Sequence, residues 1–192
     1  MVPMAKVRNK QLPVIPHDHD TLLVVGGAPC VWDDLEAWWE FDHHHDVCVV
    51  NEIGRLFPCH FQHAFSYHHT FLVEKGITAP FVHTIRRGGD YSGMYPWRLR
   101  DTGGSSGFMA ARCAIKYWGY KRVVVAGCPI NNDGHFSSLA GSPDSYRYAE
   151  TFLSAWRRHH KTIGSRLRSM SGNTRDIYGP PTKEWLNDVN DC

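Results

Sequence analysis

The chain has 192 residues, which is enough for one full-sized domain with a hydrophobic core and too few for two ordinary domains. Hydrophobic residues make up 42% of it and aromatic residues 12%, a composition typical of globular rather than disordered chains. No run approaches the roughly 18 consecutive apolar residues that a membrane span needs, and the formal net charge is only +2. We therefore expect one globular domain without a membrane span.

The first 20 residues contain lysines and prolines but no apolar signal core, so we expect no export signal in them. We predict an extended leader over residues 1–20, followed by a single domain over residues 21–192 whose C-terminal part is a basic helical segment. The six cysteines show no spacing typical of a disulfide framework, and several lie in apolar runs. A reducing, cytoplasmic location is the expectation.

Four short apolar runs predict buried strands. They are "TLLVV" from Thr21, "DVCVV" from Asp46, "FVHTI" from Phe81 and "RVVVA" from Arg122. None alternates cleanly in polarity, which is typical of strands covered on both faces in a mainly parallel sheet. The stretch "HFQHAFSYHH" predicts a further strand.

Helical patterns lie between these runs, over Val31–Phe41, Thr70–Lys75 and Ser106–Trp118, with a long helix predicted over Ser145–Met170. Strands that alternate with helices indicate an α/β fold. The prediction is a single Rossmann-like three-layer sandwich. In such sheets ligands bind beyond the carboxyl ends of the strands, so the loops after the strands hold the candidate site residues.

The motif "GGSSG" precedes the third predicted helix. If the helix starts near Ser106, its first amide N–H groups lack intrahelical partners, and Ser105 or Ser106 can cap one of them. The remaining amides and the helix dipole favour a phosphate or a carboxylate. The nearby glycines, Gly103, Gly104 and Gly107, would let a ligand approach the backbone closely. The alternative is a plain capped helix that needs a tight turn.

Two further loops carry candidate binding groups. Gly26 and Gly27 follow the first strand, but the residues after them do not fit G-x-G-x-x-G, and no G-x-x-x-x-G-K-[ST] loop is present. Asn51 directly follows the second strand, where its amide would read a base or a sugar. The alternative is a turn-forming asparagine.

For catalysis, His135 follows the fifth predicted strand, and an imidazole with a pKa near 6.5 is suited to take a proton from an attacking hydroxyl. Asp133 and Asp90 are the carboxylate alternatives. The 13 histidines match no H-E-x-x-H motif or paired Cys and His spacing. We therefore expect no functional metal.

Between Thr151 and Arg175 the chain has six Lys or Arg, two His and no acid. Such a segment is suited to bind phosphate groups. The alternative is the solvated face of a helix, which is what a run of charge often is. The same groups would also suit the diphosphate of a donor. Basic groups combined with aromatic Trp156 are typical of nucleic-acid surfaces. The candidate acceptor or phosphate residues are Arg157, Arg158, Lys161, Arg166 and Arg168.

The stretch "SSGFMAARCAIKYWGYKRVVVAGCPI" resembles the helix-strand motif of the bacterial sialyltransferase family and its relatives: T/S-S-G, an apolar helix, L-G-Y-K, a strand and G-x-D. "VVGGAP" is similar to the family's first-strand turn, and Asn51 falls where the family has an asparagine. The resemblance implies a Rossmann-like domain that binds a nucleotide-activated sugar, with direct, inverting transfer, a histidine base and no strict need for metal. It implies donor contacts at Gly26, Gly27, Ala28, Asn51, Ser105, Ser106 and Gly107. The glycine turn before the helix adds Gly104 to these candidate donor-binding residues.

The functional hypothesis is a glycosyltransferase that moves a sugar from a nucleotide-sugar donor to an acceptor hydroxyl. The nucleotide-sugar is a co-substrate, and no further cofactor is expected. A hydroxymethylated base in DNA, flipped toward the site, is one candidate acceptor. The alternatives are a non-catalytic module that binds nucleotides or nucleic acid, and a phosphoryl transferase similar to the pterin diphosphokinases that the broader resemblance includes.

Overall fold

A seven-stranded sheet forms the centre of the molecule, in a computed structural model that describes residues 14–85, 93–101, 103–131 and 148–188. The strand order is β5-β4-β3-β2-β1-β6-β7, and every pairing between neighbours is parallel. The fold is therefore an α/β Rossmann-like sandwich, as predicted, with a sheet that is parallel throughout its described strands. The strands are β1 (Thr21–Val25), β2 (Asp46–Val50), β3 (His63–Ser66), β4 (Phe81–Ile85), β5 (Tyr95–Trp97), β6 (Arg122–Ala126) and β7 (Leu167–Ser169).

Helices cover both faces of the sheet because side chains alternate along each strand. One face, with Leu22 and Val24 of β1, packs against the helices α3 and α4, and the other, with Leu23 and Val25, packs against α1 and α6. All five positions of β1, β2 and β6 are buried, which explains their continuous apolar sequences. The helices are α1 (Val31–Trp39), α2 (His69–Glu74), α3 (Ser106–Cys113), α4 (Ala149–Ile163), α5 (Gly172–Tyr178) and α6 (Lys183–Asn187).

Two shorter helical segments complete the described fold. A 3₁₀ helix, Asn51–Arg55, follows β2 directly, and a π-helical segment, Ala114–Trp118, extends α3. The π segment is followed by its C-cap Gly119, whose φ of 92° lies in the left-handed region that suits glycine. Within the described ranges, no helix is long and apolar enough to cross a membrane.

The prediction of a helix as far as Met170 is wrong. Helix α4 ends at Ile163, and the next residues form the edge strand β7, in which Leu167 and Ser169 are buried against the core side while Arg168 between them is less buried. Three alternating residues are too short a pattern to override the helical period before them. Strand β5 is equally short, and no prediction covered it.

A chain of buried hydrogen bonds crosses the sheet near its amino-terminal edge. Trp97 Nε1 donates to His83 Nδ1 over 3.1 Å, and His83 Nε2 lies 3.0 Å from His63 Nδ1. His63 Nε2 lies 2.7 Å from the hydroxyl oxygen of Tyr120, which donates to Asp46 Oδ2 over 2.8 Å. Burial lowers the pKa of His63 to about 4 and that of His83 well below its usual value. Both imidazoles are therefore neutral core groups.

Candidate functional site

A cavity of about 370 Å³ opens at the carboxyl ends of the central strands. It lies where the strand order reverses, because the chain leaves β1 toward β2 on one side while β6 pairs with β1 on the other. Open α/β sheets bind their ligands at this switch point. The cavity is lined by seven of the predicted binding residues: Gly26, Gly27, Asn51, Gly104, Ser105, Ser106 and Gly107.

Helix α3 begins at Ser106, as predicted, and its first turn faces the cavity. Ser105 is the N-cap, and its hydroxyl oxygen accepts a hydrogen bond of 3.4 Å from the amide of Phe108. The Ser106 hydroxyl oxygen accepts from the amide of Tyr67 over 3.2 Å. Among the described residues, the amides of Ser106 and Gly107 have no acceptor. These two N–H groups are available to an anion in the cavity.

The thiol of Cys128 occupies the floor of the cavity between two of the glycines. A Cβ atom at Gly107 would lie 2.8 Å from Cys128 Sγ, and one at Gly26 would collide with the same sulfur and lie 2.5 Å from the carbonyl oxygen of Gly127. Both glycines are therefore required by packing within the protein. Burial raises the pKa of the Cys128 thiol to about 12, which disfavours the thiolate form and fits a space-filling thiol.

The turn before α3 needs its glycines for a different reason. Gly103 and Gly104 have φ values of 61° and 94°, in the left-handed region. A side chain at Gly103 would also lie 2.8 Å from the carbonyl oxygen of Thr151 in α4. The turn is thus packed against α4, and the aromatic ring of Phe152 from that helix lines the cavity beside it.

The predicted residue Ala28 does not line the cavity. It is 2% exposed, and its amide donates to the carbonyl oxygen of Gly127 over 3.1 Å. This hydrogen bond ties the loop after β1 to the loop after β6. Ala28 therefore shapes the site through the backbone, while Gly26 and Gly27 form part of its wall.

A buried carboxylate in α1 holds the loops after β6 and β7 in place. Asp34 accepts hydrogen bonds of 2.7 Å from the Gly127 amide and of 2.7 Å from the Ser171 hydroxyl. Burial raises the pKa of Asp34, and the two hydrogen bonds oppose that rise. Sequence reasoning missed Asp34. The available signal was an acid in the first turn of a helix that follows a glycine turn.

Two non-glycine residues at the cavity have left-handed backbone angles. Asn51 has a φ of 58° and Ile130 a φ of 48°, and a β-branched residue rarely adopts this region. The side-chain amide of Asn173 donates to the Ile130 carbonyl oxygen over 2.8 Å and so helps to hold that conformation. Asn51 lines the cavity, and no described residue forms a hydrogen bond with its side-chain amide.

Sequence reasoning also missed several side chains of the cavity wall. Tyr67, His68 and Phe71, from the β3–α2 region, place aromatic rings on one side. Glu52 lies next to Asn51, with its Oε1 atom 3.5 Å from Lys75 Nζ. The position of Glu52 directly after a strand-end asparagine was a usable signal, but the aromatic residues belong to loops whose direction only the fold determines.

The basic residues of α4 lie on its outer surface. Arg157 Nη1 is 3.6 Å from Glu150 Oε2, and Arg158 Nη1 is 3.8 Å from Asp101 Oδ1. Both arginine side chains are more than half exposed. Lys161 is also exposed on this helix. None of the three lines the cavity.

Arg166 and Arg168 bind the protein's own backbone. Arg166 precedes β7, at the edge of the sheet away from the cavity, and donates to the carbonyl oxygens of Lys121 and Tyr120. Arg168 donates to the Gly164 carbonyl oxygen over 2.6 Å and lies 4.7 Å from the ring centroid of Trp185. The structure therefore separates these two arginines from the exposed basic face of α4.

Comparisons with models of protein families, with curated proteins and with solved structures find no match to this chain. The fold and the cavity are therefore the basis for any functional assignment. Within the described residues, no group of three or more His, Cys, Asp or Glu side chains is arranged to hold a metal ion. The predicted catalytic residues His135, Asp133 and Asp90 lie outside the described residues.

Proposed function

We propose that this protein is a glycosyltransferase that binds a nucleotide-sugar at the cavity and transfers the sugar to an acceptor hydroxyl. The observation that carries the proposal is the convergence of three elements at the switch point of the sheet. The glycine turn after β1, Asn51 after β2 and the start of α3 line one cavity of about 370 Å³. This volume lies in the range of small-molecule sites.

The amides at the start of α3 support binding of the donor phosphates. Ser106 and Gly107 present N–H groups with no acceptor among the described residues, and the aligned peptide dipoles favour negative charge there. No Lys or Arg is among the described residues that line the cavity. Among the described residues, the groups available to the phosphates are therefore backbone amides, which a phosphate reaches only by close approach to the chain.

The aromatic side of the cavity supports binding of a base. Tyr67 and Phe71 line it, Phe152 lines the cavity beside the glycine turn, and aromatic side chains offer π-faces on which nucleobases stack. Asn51 adds an amide that both donates and accepts hydrogen bonds. An anion-binding corner and an aromatic wall within one cavity fit a nucleotide better than an isolated phosphate.

In the proposed transfer a base takes the proton of the acceptor hydroxyl while its oxygen attacks the anomeric carbon of the sugar. The bond from that carbon to the phosphate oxygen breaks, and the nucleotide leaves with the electron pair. His135 is the predicted base, and His68 is the imidazole that lines the described cavity. If His135 is the base, His135→Ala abolishes transfer with donor affinity retained, whereas His68→Ala retains transfer.

The test of the proposal is release of free nucleotide from a panel of uridine, guanosine, cytidine and thymidine diphospho-sugars and a cytidine monophospho-sugar, with and without hydroxymethylated DNA. Nucleotide binding combined with acceptor-dependent release supports a glycosyltransferase. Binding of nucleotides with no release from any donor would support the non-catalytic module instead. Release of AMP from ATP with a hydroxymethyl pterin would support the phosphoryl transferase.

The exposed basic face of α4 supports DNA as one acceptor to test. Arg157, Arg158 and Lys161 present their charges outward, and neutralisation of phosphates makes affinity fall with salt. Lys161→Ala is expected to weaken DNA binding. It should also reduce the slope of log affinity against log salt concentration by about one. Lys183→Ala, an exposed lysine in α6, is the matched control. Equal effects of both changes would contradict a role for this face.

A further inference from the structure

Glu52 stands at the carboxyl end of β2, beside the glycine turn of β1. The register pairs Val25 of β1 with Val49 of β2, so the two chains leave the sheet side by side. Neighbouring strands lie about 5 Å apart. Glu52 therefore faces the same cavity as Gly26 and Gly27, and its side chain is one third exposed.

The cavity carries two kinds of polar group at different places. The start of α3 presents amide donors, while Glu52 presents carboxylate oxygens that only accept hydrogen bonds when ionised. A carboxylate repels phosphate and accepts hydrogen bonds, so the part of the ligand beside Glu52 is expected to carry no negative charge and to donate hydrogen bonds. The ligand that fits both places has an anionic group at one end and neighbouring hydroxyl groups at another.

Lys75 positions the carboxylate. Its Nζ atom lies 3.5 Å from Glu52 Oε1, and Lys75 is the C-cap residue that follows α2. Contact with one oxygen holds the side chain and leaves the other lone pairs of the carboxylate to a ligand. A carboxylate matches a cis-diol well because its two oxygens can accept from both hydroxyls.

We propose that Glu52 accepts hydrogen bonds from the 2′- and 3′-hydroxyls of the ribose, so that the site selects ribonucleotides over 2′-deoxyribonucleotides. This inference depends on the nucleotide binding proposed above. Asn51 lines the cavity next to Glu52, and its left-handed backbone carries the chain from the strand into the 3₁₀ helix that holds Glu52. The diol therefore lies at the β2 edge of the cavity and the phosphates at the α3 edge.

The test is calorimetric titration of the full chain with uridine, guanosine and cytidine diphosphates and with the 2′-deoxy form of each. The wild-type protein is expected to bind its preferred ribonucleotide about tenfold to a hundredfold more tightly than the deoxy form, the range expected for a lost hydrogen bond to a charged group. Glu52→Gln should reduce this ratio to near one. Glu74→Gln, at an exposed acid of α2, should leave the ratio unchanged.

Each outcome separates this inference from the proposed function. Binding of ribo and deoxy forms with equal affinity by the wild-type protein would overturn the role of Glu52 and leave nucleotide binding intact. A preference that survives Glu52→Gln would do the same. Failure of the wild-type protein to bind any of the six ligands, together with no nucleotide release from the whole donor panel, would overturn the proposed function. Because Glu52 is partly exposed, Glu52→Gln is expected to retain the wild-type Tm, and Glu52→Asp provides a second folded variant.

Discussion

His63 and Tyr120 share a hydrogen bond of 2.7 Å between the imidazole Nε2 and the phenol oxygen. Because Tyr120 donates its own proton to Asp46, His63 must be the donor to Tyr120. Its Nδ1 then accepts from His83, whose Nδ1 in turn accepts from Trp97. All hydrogen bonds of the chain run in one direction, which requires both imidazoles to be neutral Nε2–H tautomers.

Acid is expected to destabilise the protein through these histidines. The folded-state pKa of His63 is about 4, below the ordinary value of 6.5, so between these pH values the unfolded chain binds a proton that the folded chain does not. Stability from the neutral His63 is complete above pH 6.5 and falls by on the order of 3 kcal/mol as the pH decreases to 4. Urea unfolding at steps from pH 7.5 to 4.5 measures this change.

His63→Gln is the control for that prediction. A glutamine side chain has an NH2 group that donates and a carbonyl oxygen that accepts, so it can replace the neutral imidazole in the chain without binding a proton in this range. The variant should lose less stability between pH 6.5 and pH 4.5 than the wild-type protein does. A pH dependence as steep as that of the wild-type protein would show that His63 does not cause the loss.

Gly107→Ala is expected to destabilise the protein by about 1–3 kcal/mol, because the new methyl group would press on the Cys128 sulfur. Adding Cys128→Ala removes that sulfur and should recover part of the loss. Gly26→Ala should not be rescued in this way, since its methyl group would also meet the Gly127 carbonyl oxygen. Chemical unfolding of the single and double variants at each site measures their stabilities, and the two double-mutant cycles compare the rescue at Gly107 with that at Gly26. Equal rescue at both sites would argue against the sulfur contact as the cause.

Asp34→Ala is expected to cost about 1–3 kcal/mol of stability, since it leaves the Gly127 amide and the Ser171 hydroxyl without their acceptor. Because these hydrogen bonds hold the loop after β6, nucleotide affinity should also fall. Asp33→Asn changes the exposed neighbouring acid and should alter neither property. Thermal unfolding and nucleotide titration provide the measurements. If the Asp34→Ala variant is destabilised but keeps its nucleotide affinity, the hydrogen bonds that hold this loop are not needed for ligand binding.

Asn51→Gly tests whether the side chain of Asn51, at the end of β2, binds the nucleotide or serves only the backbone turn. Glycine adopts the φ of 58° without steric cost, so stability should stay within about 1 kcal/mol of the wild type. The loss of the side-chain amide should weaken nucleotide binding. Titration of the variant measures this loss. Unchanged affinity would show that Asn51 serves only the turn.

The local patterns of the sequence predicted the central part of the fold. Strands β1, β2, β4 and β6 follow from continuous apolar runs because a strand covered on both faces needs no polar side. The start of α3 follows from the glycine-serine turn and its capping serine. These features depend on a few neighbouring residues, so the sequence alone determined them. The three-residue strands β5 and β7 depend on edge pairing, for which the chain carries no local signal.

The composition of the cavity was decided by the tertiary structure. The sequence placed Gly26, Asn51 and Ser106 at the ends of separate elements, and the strand order brought them to one cavity. That order also placed Arg166 at the opposite edge of the sheet and assigned Gly107 to packing against Cys128. Residues distant in sequence meet only through the pairing of strands and the packing of helices, and local periodicity contains no information about either.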